Sequence, residues 1–291
     1  MKVLILTDLE GPAGVNGRSD GIGNTMLNVP TACQALVNEV NAVCEGLVAA
    51  GCDEIVVLDG HGGSSSIDIF KLHPQAQLFQ IGDWAPMVAL DCTYDALIQL
   101  GAHSMQSAGG YMCHTFNSHN VAQMMFNGEP IGEIGMCSYQ AAYFNVPTIL
   151  VSGDDVACHE ARALLGDDLE VVPTKASVNR YTTVNYPVQE VYQNLRDAAE
   201  RALRNLDKSK VLEMPEQLEL TVRFMCPNNT WGAIRLGIEQ LDEVTMRYRS
   251  DDFIELWAQR NGWAPGAHTK RFNITPEWKH PHTLAREAFK E

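Results

Sequence analysis

A strand, a helix and a second strand fill the first 58 residues, and that order constrains the fold more than any other feature of the chain. Val3-Leu4-Ile5-Leu6 and Ile55-Val56-Val57-Leu58 are uninterrupted aliphatic runs, the pattern of strands buried on both faces of a parallel sheet. Between them Ala32, Leu36, Val40, Val43, Leu47 and Ala50 recur at helical spacing. This predicts a helix over residues 30–50, with Gly51 placed to close it as a left-handed cap. Strand, helix, strand is a βαβ unit, which implies a parallel sheet.

The same reading places further strands at 77–81, 96–100, 122–126 and 148–151, and helices at 133–143 and 156–165. Asn127-Gly128 has the chemistry of a hairpin turn. Residues 11–28 form a glycine-rich loop with little pattern, and loops of that length are usually functional. The second half differs. It offers a charged amphipathic helix over 187–206, an alternating strand over 217–224 with a pairing partner at 244–248, and a helix over 253–259. The expected fold is α/β, a mainly parallel sheet flanked by helices in residues 1–175, with a smaller α+β part in residues 176–291.

Charge narrows the function classes. Against 21 Lys and Arg stand 36 Asp and Glu, a formal charge of -15, and no basic patch of the kind a nucleic-acid binder carries is visible. The first apolar run stops at Asp8, short of a secretory signal. No segment approaches the roughly 18 apolar residues of a membrane span. The eight cysteines form no Cys-x-x-Cys pair. Together these predict a cytoplasmic protein with reduced, buried thiols and neither nucleic-acid nor membrane partners.

Where apolar runs end or glycine-rich turns begin, five short motifs carry acids and imidazoles. They are Thr7-Asp8-Leu9-Glu10-Gly11, Asp59-Gly60-His61-Gly62-Gly63, Gly101-Ala102-His103, Cys113-His114-Thr115-Phe116 and Gly132-Glu133-Ile134-Gly135. Three of them follow strands, and open α/β sheets bind ligands in the crevice outside the carboxyl ends of their strands. Carboxylate and imidazole suit zinc and similar divalent ions. Asp8, Glu10, His61, His103 and Glu133 suffice for two adjacent ions with a position left for water, a site that does hydrolysis. Asp8 and Glu10 converge if the strand stays extended through them, and Asp59 is placed to orient the His61 ring. Each motif alone has a plainer reading: a solvated loop for Asp8 and Glu10, a surface histidine for His61 or His103, a helix N-terminal acid for Glu133. His119 reads as a loop residue, and His268, His280 and His282 as surface residues.

The five motifs in this order, with Asn127-Gly128-Glu129-Pro130-Ile131-Gly132-Glu133 and Val151-Ser152-Gly153-Asp154-Asp155, resemble the zinc-dependent D-aminopeptidases, self-compartmentalising D-stereospecific peptidases of bacteria. The resemblance runs from Met1 to about Asp155. It implies two divalent metal ions per chain, zinc by preference, on Asp8, Glu10, His61, His103 and Glu133, with Asp8 bridging both. It implies His114 as the catalytic histidine, a short peptide substrate, and a homo-oligomer built as a decameric ring. A histidine near neutral pKa suits the proton transfer such a site still needs. Two further readings share the metal ligands: an amidohydrolase acting on a non-peptide amide, and a non-catalytic metal-binding assembly module.

Overall fold

The computed structural model describes residues 1–80 and 89–288. In chain order the elements begin with β1 (Lys2–Thr7), a small hairpin of β2 (Asn16–Ser19) and β3 (Asn24–Leu27), α1 (Val29–Ala49), β4 (Glu54–Asp59), β5 (Ala76–Gln80) and β6 (Ala96–Ala102). Then come β7 (Val121–Phe126), β8 (Glu129–Pro130), α2 (Glu133–Tyr143), β9 (Thr148–Asp154), α3 (Asp155–Leu165), β10 (Glu170–Asn179), β11 (Thr182–Asn185) and α4 (Val188–Arg204). The chain closes with β12 (Leu218–Phe224), α5 (Trp231–Arg235), β13 (Glu239–Asp242), β14 (Thr245–Ser250), α6 (Phe253–Arg260), α7 (Ala267–Phe272) and α8 (Pro281–Ala288).

Seven strands form the large sheet in the order β11-β10-β9-β6-β1-β4-β5. Its pairings are parallel except at the edge, where β11 runs antiparallel to β10. The continuous aliphatic runs are explained by two covered faces. Val3, Ile5, Ile55 and Val57 pack toward α1 and α4. Leu4, Val56 and Leu97 pack toward the other core, shared with α2, α6 and a second sheet. Gly51 ends α1 with φ 86°, donating to Val48 O. That is the left-handed closure expected from its position.

The second sheet is antiparallel, in the order β13-β14-β12-β7-β8. The expected pairing of the two C-terminal strands is present, Leu220 opposite Tyr248. On its other edge β12 pairs with β7, Leu220 opposite Phe126, so the strand at 121–126 leaves the parallel core and ties the two halves together. Asn127 and Gly128 both have positive φ, 49° and 87°, the requirement of the two-residue turn that joins β7 to β8. The expected division between residues 175 and 176 falls inside β10, and β10, β11 and α4 all extend the large sheet and its helical layer.

Three expectations need correction. The loop over 11–28 contains the β2–β3 hairpin. His268 is buried, not superficial, its ring against Trp263 and Phe272. Of the eight cysteines, Cys44, Cys113 and Cys158 are buried, four are half-buried and Cys226 is exposed. The strand expected at 77–81 is β5 as far as Gln80, and Ile81 is outside the described residues. Among the described residues no helix is long and apolar enough to cross a membrane.

Candidate metal centre

Parallel strands deliver their carboxyl ends to one edge, and three neighbours in the sheet, β4, β1 and β6, each end in a candidate ligand. Asp8 follows β1, His61 follows β4 and His103 follows β6. Backbone bonds tie these ends together: Asp8 N donates to Leu100 O at 2.8 Å, Gly11 N to Gly101 O at 2.8 Å, and Gly60 N to Thr7 O at 3.2 Å. The loops touch so closely that a Cβ on Gly11 would sit 2.4 Å from the Gly101 and Ala102 backbone, and one on Gly101 2.3 Å from Asp8 O. Only glycine permits this approach.

The extended geometry expected of Asp8-Leu9-Glu10 does not persist. The strand stops at Thr7 and the chain bends at residues 9 and 10. The bend drives Leu9 into the core and still brings both carboxylates to one imidazole. His61 Nδ1 is 2.9 Å from Asp8 Oδ1 and 3.2 Å from Glu10 Oε2. His103 Nε2 is 3.3 Å from Asp8 Oδ2 and 3.0 Å from Glu133 Oε1. Asp8 therefore turns one oxygen to each imidazole. Glu133 opens α2, and its Oε1 also accepts from Phe116 N at 2.7 Å.

His114 stacks on His103, ring centroids 3.8 Å apart. Its Nε2 stands further off, 4.0 Å from Glu10 Oε1 and 3.8 Å from Glu133 Oε1. Both stacked rings are oriented from behind: His103 Nδ1 meets Ser104 O and His114 Nδ1 meets Met112 O, each at 2.9 Å. A carbonyl can only accept, so in the neutral rings Nδ1 carries the proton and Nε2 offers its lone pair to the cluster.

The carboxylates and imidazoles of the cluster act strongly on one another's charge. Burial opposes the Asp8 charge, yet the hydrogen bond from His61 and the nearby His103 hold its carboxyl well below the usual range. Burial also disfavours imidazolium at His61, but Glu10 and Asp8 outweigh it and push the ring up to about 11. His103 is raised likewise, against its burial, chiefly by Glu133. Glu10 Oε2 and His103 Nε2 are buried without an aligned hydrogen bond. Three sets of donor atoms each cluster within 4.8 Å: Asp8, Glu10 and His61; Asp8, His103 and Glu133; Glu10, His103 and His114. Carboxylate and imidazole donors with unsatisfied lone pairs fit divalent cations such as zinc.

Asp59 has a different task from the one expected. Its Oδ2 accepts from Ser66 N at 2.8 Å and Ile67 N at 3.0 Å, so it fixes the turn after the glycines rather than the His61 ring. His119 is an exposed loop residue at the rim of the site, its Nε2 2.6 Å from Asp20 Oδ2.

The cluster forms one wall of a cavity of about 740 Å³, within the usual range for small-ligand sites. Sequence reasoning pointed to part of the remaining lining, through the loop over 11–28 and the motif ending at Phe116, and missed α6. Asn24 comes from β3, Phe116 from the loop after His114, and Trp257 and Arg260 from α6. Trp257 packs on Phe116 with centroids 4.9 Å apart. The available signal was slight: Arg260 follows Trp257 by three residues, on one face of a helix.

Residues 1–260 match the D-aminopeptidase family. The D-aminopeptidase of Bacillus subtilis (strain 168) is 28% identical over 262 residues, covering 88% of this chain and 94% of its own. A solved structure, the zinc-dependent D-aminopeptidase DppA from Bacillus subtilis, described as a self-compartmentalizing protease, superimposes with a TM-score of 0.82. It shares 28% identity and covers 90% of this chain and 96% of its own.

Proposed function

Because this chain belongs to the D-aminopeptidase family and is a metal-dependent aminopeptidase, we propose that it uses two zinc ions to remove an N-terminal D-residue from short peptides. The observation that carries the reading is Asp8, whose two oxygens face the imidazoles of His61 and His103 separately. Asp8, Glu10 and His61 would hold one ion, and Asp8, His103 and Glu133 would hold the other. When bound, zinc polarises the scissile carbonyl and lowers the pKa of water.

The chain's own groups do the rest. His114 moves the proton: its Nδ1–H is anchored on Met112 O, leaving Nε2 free to accept and return one. Its longer distances to the carboxylates, 3.8 and 4.0 Å against 2.9 to 3.3 Å for His61 and His103, favour this role over ligation. The substrate's N-terminal residue enters the cavity beside the cluster, and Phe116 and Trp257, which pack on each other and line the same cavity, help to exclude water.

Assembly into a closed homo-oligomer, a decameric ring in the family's manner, is part of the same proposal. Large apolar side chains stand in the open on the monomer, among them Phe70 at 95% and Trp231 at 63% exposure, and association would cover such groups.

Elemental analysis of purified protein, joined to a panel of D- and L-aminoacyl dipeptides, tests the proposal. Two zinc ions per chain and turnover confined to D-residues are expected. Absence of bound metal together with no activation by added zinc, cobalt or manganese would overturn it.

A further inference from the structure

One charged group in the cavity has no counterpart in the metal cluster. Arg260 is the only lysine or arginine among the described residues that line it. Its Nε is buried without a hydrogen-bond partner, and the side chain makes no ion pair among the described residues. Arg201 and Arg247, by contrast, meet Glu170 and Glu239. An unpaired guanidinium facing a cavity is a feature whose missing partner a ligand can supply.

Position defines that partner. Arg260 ends α6, one turn after Trp257, and lines the same cavity as Glu133. Glu133 belongs to the acidic cluster, so Arg260 and the candidate ligands share one cavity. A dipeptide is short, at most about 7 Å when extended. With its N-terminal residue held at the cluster, a dipeptide places its terminal carboxylate in the same cavity, and Arg260 is the lysine or arginine on offer among the described residues that line it. Planar guanidinium matches carboxylate through two parallel hydrogen bonds.

We propose that Arg260 is a specificity-determining residue that binds the free C-terminal carboxylate of the substrate, selecting very short peptides over peptide amides. This rests on the aminopeptidase reading above. It distinguishes Arg260 from a group that stabilises charge developing on the scissile carbonyl, which would serve acids and amides alike.

The test compares two ligands that cannot be cleaved: D-alanyl-D-alanine with its peptide bond reduced to CH2–NH, and the same compound as its C-terminal carboxamide. Calorimetry on the zinc-loaded enzyme reads affinity without turnover. A separate assay for hydrolysis of D-alanyl-D-alanine reports on the aminopeptidase proposal, so the two can fail independently. The wild-type protein should bind the acid roughly 10- to 100-fold more tightly than the amide, the usual worth of a charge-assisted hydrogen-bonding pair. In Arg260→Gln that ratio should collapse to within about threefold of unity, and Arg260→Lys should restore part of it. Equal wild-type affinity for acid and amide overturns the proposal, whether or not the variants fold. So does a folded, zinc-replete Arg260→Gln that keeps the wild-type ratio.

Discussion

The two faces of the large sheet are built from the same strands and do opposite things. On one, α1 and α4 lie flat over Val3, Ile5, Ile55 and Val57 and close the core with Leu36, Val43, Leu47 and Leu195, each with no solvent exposure. On the other, the cover is a second sheet with α2 and α6, and it stands back at the carboxyl ends of β4, β1 and β6 to leave a cavity. The alternating strand residues support both covers equally well. What differs is the partner: two helices fill a face, whereas a sheet pinned by β7 leaves the strand ends open. Burial and chemistry are thus separated to opposite sides of one sheet, and substitutions on each side should read out differently.

The largest effect is expected on the open side. Asp8→Ala removes the carboxylate that faces both His61 and His103. Turnover should be abolished and zinc content should fall toward zero while circular dichroism stays native; a fully active variant would break the assignment. His114→Ala comes next, with kcat lowered about a hundred- to ten-thousandfold and both ions retained. Loss of one ion in that variant would make His114 a ligand.

On the closed side the damage should move from rate to stability. Leu195→Ala leaves a hole in the α1–α4 core and should cost about 2–5 kcal/mol in denaturant unfolding, with kcat per folded molecule little changed. A large fall in kcat would show that the two faces are coupled.

The smallest effect sharpens the boundary between the faces. Glu39 is buried in α1, and its Oε1 accepts from Ala13 N at 2.7 Å, behind the ligand loop. Burial pushes its carboxyl up from 4.5 to about 7. A raised acid pKa means that the folded chain keeps a proton the unfolded chain has released. Stability from this group therefore falls as pH rises from about 4.5 to about 7. Glu39→Gln keeps an acceptor for Ala13 and removes the titration. Thermal melts near pH 5 and near pH 7 should show the variant gaining on the wild type at the higher pH, about where the folded carboxyl titrates. A constant difference would mean that Glu39 does not titrate in this range.

Within the sequence, legibility follows the distance over which the determining interactions act. The βαβ opening is encoded in local periodicities, and α1, β4 and the helix over 133–143 fall where those periodicities place them. The cluster is legible for a related reason, since Asp8, His61 and His103 each stand at a strand end. By contrast Asp8-Leu9-Glu10 converges through a bend and not an extended run, because Leu9 is drawn into the core. His268 looked superficial from its polar, proline-rich neighbours and is instead packed between Trp263 and Phe272.

The sequence by itself determined a parallel sheet and the edge on which its acids and imidazoles gather, because parallel strands joined by helices send their carboxyl ends the same way. Only the tertiary structure decided what stands opposite them. β7 pairs with β12, at Phe126 and Leu220, and α6 brings Trp257 and Arg260 to a cavity whose other wall begins at Asp8. No local pattern links positions so far apart. Their meeting depends on strand register and on how one cover packs over a sheet, and those are settled only when the whole chain has folded.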